Sequence, residues 1–389
     1  MANLDYFLKK NWNTNKLLDG NESNLYFSKI PSFSAYKFNF NFKNRINNDH
    51  FLYDYSLAFK INSDSKTIKE IQMLEILSLL ELDGNLEEKN VLVNIKRIKE
   101  IYDGRKPSGK DEKKIWNLIE VLNLIKVEGF NINENNFELI IHIIFRNLGF
   151  DLDSKNSYYR NEKDKSIFKG LVETSLIDKE LNYLFENIQT LSKNDIQGFT
   201  SAYLLLVNFI FISPYKEFNI LIAFLLSKWF LVKMELEYEH LTPINHLGIN
   251  WKNFVTLLNK SLTSDFNLDE LFVFLDSSLK SKVNYLYRFD LLNNLFLENK
   301  KIPKSIFPNI ICKAFIVNVL SYKNNSWKIE KIKSSFNYKN QVIFTDLQLE
   351  SYLNFLVESK ILKTISKNNI KNYAFADSDF EKIRRLLKD

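Results

Sequence analysis

Two stretches of this sequence combine residue types that could perform chemistry, and the first runs from Gly104 to Lys110. Its sequence, GRKPSGK, matches most of the G-x-x-x-x-G-K pattern, in which backbone amides and the lysine bind nucleotide phosphates. The next residue is Asp111, where the pattern needs a serine or threonine to bind magnesium. A charged helical segment, rather than an apolar strand, precedes it. We therefore predict a solvated loop here and not a nucleotide site.

The second stretch is acidic, and its residue types could hold a metal ion. It contains Glu235, Glu237, Glu239 and His240. Residues two apart diverge on a helix, however, and none of the 4 histidines has another histidine four residues away, the spacing of a helical zinc site. We predict no metal site. We expect His142, which lies inside an apolar run, to be a buried core residue.

The composition indicates a helical protein from a reducing compartment. The chain has 389 residues but only 9 glycines and 6 prolines, so few positions suit the turns of a strand-rich fold. Its single cysteine, Cys312, excludes a disulfide within the chain. The first residues lack the charged and apolar regions of a signal peptide. We expect a cytoplasmic location.

Apolar residues recur at helical spacing between Tyr53 and Leu297. The longest apolar stretches cover residues 198–215 and 218–234, and the first carries no charge. A membrane span needs about 20 apolar residues. The first stretch contains Pro214 and ends at the charged residues Lys216 and Glu217, which separate it from the second. We interpret both stretches as helices buried in a large core and expect no membrane span. The predicted domains so far are an N-terminal arm over residues 1–52 and a helical domain over residues 53–298.

The C-terminal segment differs in both charge and pattern. Residues 300–389 contain 17 lysines and arginines against 8 acidic residues, so the net charge of +6 originates here. Thr345 and Gln348 fit a capping box that begins a helix. Residues 361–376 alternate like a hairpin around Lys367-Asn368-Asn369. Three helices followed by a hairpin is the order of a winged helix, and we predict one over residues 304–389.

The segment between the two apolar stretches resembles a known motif. Residues 212–226 have the sequence ISPYKEFNILIAFLL, in frame with the signature H-P-F-x-[DE]-G-N-G-R-x-x-R of the Fic (filamentation induced by cAMP) family and the leucines after it. Tyr159 and Arg160 resemble the pair that precedes the family's flap hairpin. Residues 79–85, LLELDGN, resemble its inhibitory segment. The resemblance implies a mainly α fold: a Fic-like helical bundle with a small flap hairpin, followed here by a winged-helix domain.

Departures from the signature remove the chemistry that the resemblance would imply. The family's general base is a histidine, and its position is Ser213, whose hydroxyl cannot accept a proton near neutral pH. The positions of two phosphate-binding glycines are Phe218 and Ile220, and those of two arginines are Leu221 and Phe224. The signature positions that survive are Pro214, Glu217, which corresponds to the magnesium-binding acid, and Asn219.

The inhibitory segment has degenerated in parallel. In the family this segment uses a glutamate to bind the second arginine of the motif. The aligned acid here is Asp83, beside Gly84, or else Glu81 with Ser78 if the register shifts. Because Phe224 stands at the arginine position, an acid of this segment would have no cation to bind there.

These departures predict a catalytically incompetent Fic-like protein that acts as a regulatory or interaction scaffold, with a protein partner and no cofactor. DNA binding through the winged helix is a further hypothesis, with candidate contacts at Lys328, Lys331, Lys333, Lys367 and Lys371. The helix expected to enter a DNA groove, residues 346–359, is acidic, which weighs against strong binding. One alternative is a divergent AMP-transferring enzyme that uses Glu217 and Asn219 with ATP and magnesium. Another is a structural subunit of a larger assembly, and a homodimer is compatible with each.

Overall fold

The structure, a computed structural model, describes residues 40, 52, 65–82, 87, 91–190, 198–234, 242, 251–263 and 266–298. Near the C-terminus it describes residues 327–328, 330, 350, 353–354, 357–358, 362–367 and 370–375. The chain divides into two units. The larger unit comprises Asp19–Lys60 and Ile71–Val283, and the smaller unit comprises Met1–Leu18, Ile61–Glu70 and Asn284–Asp389. The described residues are mainly helical, which confirms the predicted fold class in its main feature.

The helices of the described residues are α1 (Ser65–Leu82), α2 (Val91–Tyr102), α3 (Lys110–Leu124), α4 (Glu134–Phe145), α5 (Lys155–Tyr158), α6 (Ile177–Thr190), α7 (Gly198–Ile212), α8 (Asn219–Met234), α9 (Trp251–Thr263) and α10 (Asp269–Glu298). A 3₁₀ turn at Thr174–Leu176 precedes α6. The strands are β1 (Trp327–Lys328), β2 (Leu362–Lys367) and β3 (Ile370–Phe375).

Helices α7 and α8 form the centre of the larger unit. Every residue of α7 after Gly198 is buried, and α8 is buried from Ile220 to Val232. Helices that are apolar on all sides can be stable in water only when other elements surround them. The two long apolar stretches are therefore core helices, as predicted. No helix among the described residues is both long and apolar enough to cross a membrane.

Helices α3 and α4 pack together, and polar side chains fix their ends. Asn133 caps α4, because its side chain accepts a hydrogen bond from the Asn136 backbone amide at 2.9 Å. At the other end, the Asn117 side-chain amide donates to the carbonyl oxygens of Ile144, at 3.2 Å, and Arg146, at 2.9 Å. These bonds satisfy carbonyls that a helix end leaves without partners. The face of α4 that they position carries Phe145, which contacts the candidate site.

The smaller unit contains a three-stranded antiparallel sheet in the order β1-β3-β2. The predicted hairpin is confirmed, since β2 pairs with β3 from Leu362↔Phe375 to Lys367↔Ile370. Strand β1 was not predicted, and it pairs with β3 through Trp327↔Tyr373 and Lys328↔Asn372. Residues 330, 350, 353, 354, 357 and 358 are helical. The winged helix itself stays a prediction, because much of the segment lies outside the described residues.

Two expectations differ from the structure. Residues 160–173 form an irregular loop rather than a two-stranded flap hairpin, and the strand pairing next to them is limited to an isolated bridge between Tyr159 and Tyr215. His142 is exposed, so the prediction of a buried core histidine was wrong. Its neighbours Ile140, Ile141 and Ile144 are buried, and the helical turn of 100° per residue places His142 on the opposite face of α4.

Several predictions concern residues outside the described part of the chain. These are most of the N-terminal arm, the acids Glu235, Glu237 and Glu239 with His240, the inhibitory residues Asp83 and Gly84, and the lysines Lys331 and Lys333.

Candidate functional site

The loop between α7 and α8 carries the residues that resemble the Fic signature. Two of its residues have positive φ angles although neither is glycine: Ser213, at 41°, and Phe218, at 67°. A left-handed backbone costs a residue with a Cβ roughly 1–2 kcal/mol, whereas glycine adopts it freely. Phe218 stands at the first glycine position of the signature. The loop therefore keeps a backbone that suits glycine while presenting a phenylalanine.

The Phe218 side chain is packed into the protein. It is 2% exposed, and its ring meets that of Phe145 edge-on at a centroid distance of 5.2 Å. The Lys114 ammonium lies 5.9 Å from the centroid of the same ring. Burial lowers the pKa of Lys114, while Asp111 and Glu217 act in the opposite direction. A phosphate bound to this loop would have to displace a buried ring that neighbouring side chains hold in place.

The first two turns of α8 offer apolar side chains where the signature has a glycine and two arginines. Ile220, Leu221 and Phe224 are 5%, 2% and 0% exposed. Phe224 contacts Phe254 of α9, with ring centroids 6.2 Å apart. These side chains belong to the hydrophobic core, and none of them can neutralise the charge of a phosphate group.

Ser213 is closed off at the position of the signature histidine. Its side chain is buried, and its hydroxyl donates a hydrogen bond to the carbonyl oxygen of Ile210 on the last turn of α7. Its backbone amide donates to the carbonyl oxygen of Phe209 at 2.8 Å. The serine therefore terminates α7. It lacks both the basicity and the free orientation that a general base requires.

Asn219 holds the loop closed through both ends of its side-chain amide. Its Oδ1 accepts from the Tyr215 backbone amide at 2.9 Å, and its Nδ2 donates to the Tyr215 carbonyl oxygen at 2.5 Å. The asparagine that matches the signature therefore shapes the loop. A bound ligand could use its amide only by replacing these two hydrogen bonds.

Glu217 and Lys216 are the exposed residues of the loop. The Lys216 backbone amide donates to the carbonyl oxygen of Tyr158 at 2.9 Å. Its ammonium donates to the carbonyl oxygens of Asn156, at 2.7 Å, and Ser157, at 3.0 Å. Lys216 thus ties the loop to the end of α5, and Glu217 is left as a solvent-facing carboxylate.

Arg160 fastens the expected flap segment to the end of α7. Its guanidinium donates to three carbonyl oxygens: Ser213 at 2.8 Å, Val172 at 2.6 Å and Ile212 at 3.2 Å. Its backbone amide donates to the carbonyl oxygen of the buried Pro214 at 2.8 Å. Burial lowers the pKa of Arg160, yet the negative end of the α7 dipole favours a cation there. The arginine is a structural clamp in this arrangement.

Three tyrosines complete the closure. Tyr159 and Tyr215 are bridged through their backbones and hydrogen bonded through their hydroxyls, and Tyr158 stacks on Tyr215 at 5.9 Å. Burial raises the pKa of Tyr159 to about 12 and raises that of Tyr215 well above its ordinary value. Neither phenol can lose its proton near neutral pH, so the cluster acts as packing and not as a base.

The other end of the flap segment is fixed to α9. The Lys169 backbone amide donates to Oδ1 of Asn259 at 2.7 Å, and Nδ2 of Asn259 donates to the Ile167 carbonyl oxygen at 3.1 Å. Gly170 has a φ of 67°, and a Cβ there would lie 3.0 Å from the carbonyl oxygen of Leu262. The segment is therefore held at both ends.

The described part of the inhibitory segment lies in α1. Ser78 is buried and donates to the carbonyl oxygen of Leu74 at 2.8 Å, and Glu81 is half-buried. The ion pair between α1 and α8 is formed by other residues. Glu75 Oε2 and Lys228 Nζ are 2.6 Å apart, and each side chain is 1% exposed. Lys228 lies one helical turn beyond Phe224, the position of the second signature arginine.

A second buried lysine extends this ion pair into a network. Thr242 Oγ1 donates to Glu75 Oε1 at 3.1 Å, and Lys282 Nζ donates to Thr242 Oγ1 at 3.3 Å. Burial lowers the pKa of Lys282 to about 8, although Glu75 acts against that shift. This network was not predicted from the sequence. Its signal was that Lys228 is the one charged residue between Phe218 and Val232.

The loop that resembles a phosphate-binding pattern is occupied by the protein itself. The Glu112 carboxylate accepts hydrogen bonds from the Ser108 amide and hydroxyl, both at 2.8 Å, and pairs with Arg105 at 2.6 Å. Arg105 and Ser108 hold the pKa of Glu112 down at about 2. An internal carboxylate takes the place that an anion would need. Within the described residues, no group of histidine, cysteine and acidic side chains could hold a metal ion.

The described lysines of the proposed DNA surface lie on both faces of the sheet. Lys328 and Lys371 are exposed. The pairing Lys328↔Asn372 places Lys328 on the face opposite to Lys371, because adjacent residues of β3 alternate. Lys367 ends β2. Lys363, which was not among the predicted contacts, is exposed near the open end of the hairpin.

No protein-family model matches the sequence, and no curated protein matches it. Among solved structures, a Fic family protein from Desulfovibrio desulfuricans G20 is similar over 85% of this chain and 94% of its own, at 12% sequence identity and a TM-score of 0.49. Fic-1 from C. elegans is similar over 65% of this chain and 74% of its own, at 10% identity and a TM-score of 0.49. The expected likeness to Fic proteins is thus found among solved structures, and it concerns the fold alone.

Proposed function

We propose that this chain is a Fic-like protein without AMP-transferring activity, which acts as a regulatory or interaction scaffold. The observation that carries the proposal is Phe218. It keeps the left-handed backbone of a phosphate-binding glycine, at a φ of 67°, but buries its ring against Phe145. A loop that once enclosed phosphates would have this backbone, and a loop that still enclosed them could not have this side chain.

ATP and magnesium do not fit the residues of this loop. The two arginine positions are buried as Leu221 and Phe224, and Ser213 cannot serve as a base. Loss of general acid–base catalysis alone removes about 10²–10⁴-fold in rate. The missing phosphate contacts remove binding as well, since the phosphate-binding arginines form charge-assisted hydrogen bonds. We therefore derive no catalytic step through a nucleotide.

The alternative enzyme would depend on Glu217 and Asn219. Glu217 is exposed and could act as a base, but the Asn219 amide is already bonded to the Tyr215 backbone through both of its ends. Nucleotide binding would have to break those hydrogen bonds and move the Phe218 ring. This combination favours the inactive scaffold over the divergent enzyme.

Two measurements on the full chain test the proposal. We expect millimolar ATP with magnesium to leave the melting temperature unchanged, because ligand binding to the native state would raise it. We also expect no label from α-labelled ATP on the chain or on proteins of a host lysate. A rise in the melting temperature, or label that disappears in Glu217→Ala but persists in the exposed-site control Lys216→Ala, would establish the enzyme instead.

Binding to DNA is the interaction that the C-terminal charge supports. Residues 300–389 carry 17 basic against 8 acidic residues, and Lys328, Lys363 and Lys371 are exposed there. Lysines on a surface favour nucleic acid by releasing counterions from its phosphates. A gel shift at low salt with duplexes of unrelated sequence tests this part. Binding that weakens steeply with salt supports it, and its absence at 50 mM salt rejects it.

A protein partner or a second copy of the chain is also part of the proposal. Several large apolar side chains of the larger unit are exposed, among them Trp116, Leu139 and Val273, at 37%, 46% and 61%. Light scattering coupled to size exclusion tests for a homodimer. A monomer at all concentrations would remove self-association from the proposal and leave a different partner.

A further inference from the structure

The helical residues of the C-terminal segment present acidic side chains to solvent. Glu350, Asn354 and Glu358 are exposed, and their spacing of four residues puts them on one face of the helix. Leu353, by contrast, is fully buried and Val357 is half-buried. In the predicted winged helix this would be the helix that enters a DNA groove. Its exposed face carries two carboxylates, which phosphates repel.

The sheet beside it presents cations. Residues paired across antiparallel strands share a face, so Lys328, Asn372 and Ile365 form one row across the three strands. Lys363 pairs with Ala374, two residues along β3 from Asn372, and therefore lies on the same face. Lys328 and Lys363 are both exposed and Ile365 is 38% exposed, whereas Asn372 and Ala374, on the central strand, are 6% and 3% exposed. We call this face, carrying Lys328, Lys363 and Ile365, the basic sheet face.

Lys371 belongs to the other face and is already engaged. Its ammonium lies 3.3 Å from Oδ1 of Asn354 on the acidic helix and 5.3 Å from the centroid of the Tyr373 ring. Tyr373 is buried and pairs with Thr364, again opposite to the basic sheet face. Lys371 is therefore an exposed lysine of the same sheet that differs from Lys363 in the face it occupies.

We propose that duplex DNA binds to the basic sheet face through its phosphates, and that the helix carrying Glu350 and Glu358 does not enter the groove. This inference rests on the DNA binding proposed above and specifies its surface and its mode. The strand order β1-β3-β2 separates the two outer strands by on the order of 10 Å, so Lys328 and Lys363 can reach different phosphates. Contacts of this kind fix position without selecting a base sequence.

Fluorescence anisotropy with the full chain and a labelled 25-base-pair duplex tests the inference between 50 and 200 mM salt. We expect Lys328→Gln/Lys363→Gln to weaken binding at least tenfold at 50 mM salt. The slope of log K against log salt should become shallower by about 2, because each lost phosphate contact contributes about 0.9. The matched single variants are Lys363→Gln and Lys371→Gln, which remove one charge each from opposite faces. We expect a loss only for Lys363→Gln, with melting temperatures of all variants close to that of the wild type.

Each other outcome has a definite meaning. If the wild-type chain binds no duplex at 50 mM salt, the proposed DNA binding fails and the inference fails with it. If the wild type binds but Lys371→Gln weakens binding as much as Lys363→Gln, only the surface assignment is overturned. A tenfold preference between two unrelated duplexes would overturn the sequence-independent mode. Competition by polyglutamate as strong as that by unlabelled duplex would point to an acidic protein in place of DNA.

Discussion

The first two turns of α8 and its third turn differ in whether they carry a buried charge. Where the signature has arginines, Leu221 and Phe224 are buried among apolar side chains. One turn later Lys228 carries a charge into an equally buried position, and Glu75 of α1 lies 2.6 Å from its ammonium. A buried cation is tolerated only with a partner. On α8, the buried cation lies beside a carboxylate that the chain itself supplies, and the arginine positions of the signature hold apolar side chains.

The buried ion pair between α1 and α8 involves other positions than the inhibitory contact of the resembled family. In the resembled family, a glutamate of the inhibitory segment meets the second arginine of the motif. Here α1 and α8 are joined by Glu75 and Lys228, away from the signature positions and deep in the core. Buried in this way, the pair cannot exchange with a ligand.

Breaking the buried pair should produce the largest effect. Glu75→Gln removes the carboxylate that lies beside Lys228 and acts on Lys282, and we expect it to lower the free energy of unfolding by about 3–5 kcal/mol. Lys228→Met should cost less, because Glu75 can still interact with Lys282 through Thr242. Urea denaturation of the full chain measures both. Equal losses for the two variants would contradict this view of the network.

Phe218 allows a test of the loop backbone. Substitution by glycine should destabilise the protein less there than substitution by alanine, which is the reverse of the usual order. Removing a buried aromatic ring costs about 3–5 kcal/mol, so Phe218→Ala should be strongly destabilising. Phe218→Gly should cost roughly 0.5–1 kcal/mol less than Phe218→Ala, because only glycine is relaxed at a φ of 67°. At a right-handed position glycine would be the worse of the two. If urea denaturation shows Phe218→Gly to be less stable than Phe218→Ala, the loop does not have the left-handed backbone at this position.

The third prediction concerns how the stability of the protein depends on pH through Lys282, the second lysine of the buried network. The pKa of Lys282 is about 8 in the folded chain against an ordinary 10.5, because burial disfavours its charged form. The unfolded chain therefore binds more protons between these two values, and stability should rise as pH increases from 8 towards 10.5. The gain from this lysine is at most about 3 kcal/mol.

The control for this prediction is Lys282→Met, which should flatten the rise. Above pH 10 the buried tyrosines act in the opposite direction, since the raised pKa of Tyr159 keeps its proton in the folded state. Denaturation at pH 8.0 to 9.5 avoids that overlap. A wild-type chain whose stability falls across this window, with the variant unchanged, would contradict the assignment.

Local patterns predicted the helices and the hairpin, because apolar spacing and turn residues act over a few positions. Residues 198–212 and 219–234 were predicted within a few residues, and so was the hairpin that forms β2 and β3. The loss of glycine at Phe218 was visible in the sequence, but its retained positive φ was not. The ring packs against Phe145, on a helix far away along the chain, and no local pattern indicates that contact.

Contacts between distant segments could not be predicted in the same way. Lys228 stands out as a lone charge in an apolar run, yet nothing local identifies Glu75, 153 positions earlier, as its partner. Strand β1 has two residues, too few to give an alternating pattern. The exposure of His142 could have been predicted, since helical spacing places it opposite Ile140 and Ile144.

The smallest expected effect comes from an exposed ion pair with the same geometry as the buried one. Lys260 Nζ and Glu270 Oε1 are 2.6 Å apart, but their side chains are 59% and 62% exposed. Water already solvates both charges, so Glu270→Gln should change the free energy of unfolding by less than about 1 kcal/mol, and 1 M salt should abolish the change. Glu75→Gln should keep most of its cost at the same salt, because ions cannot enter the core. If both substitutions respond alike to salt, burial does not set the cost of a lost charge here, and the contrast between the two parts of α8 loses its physical basis.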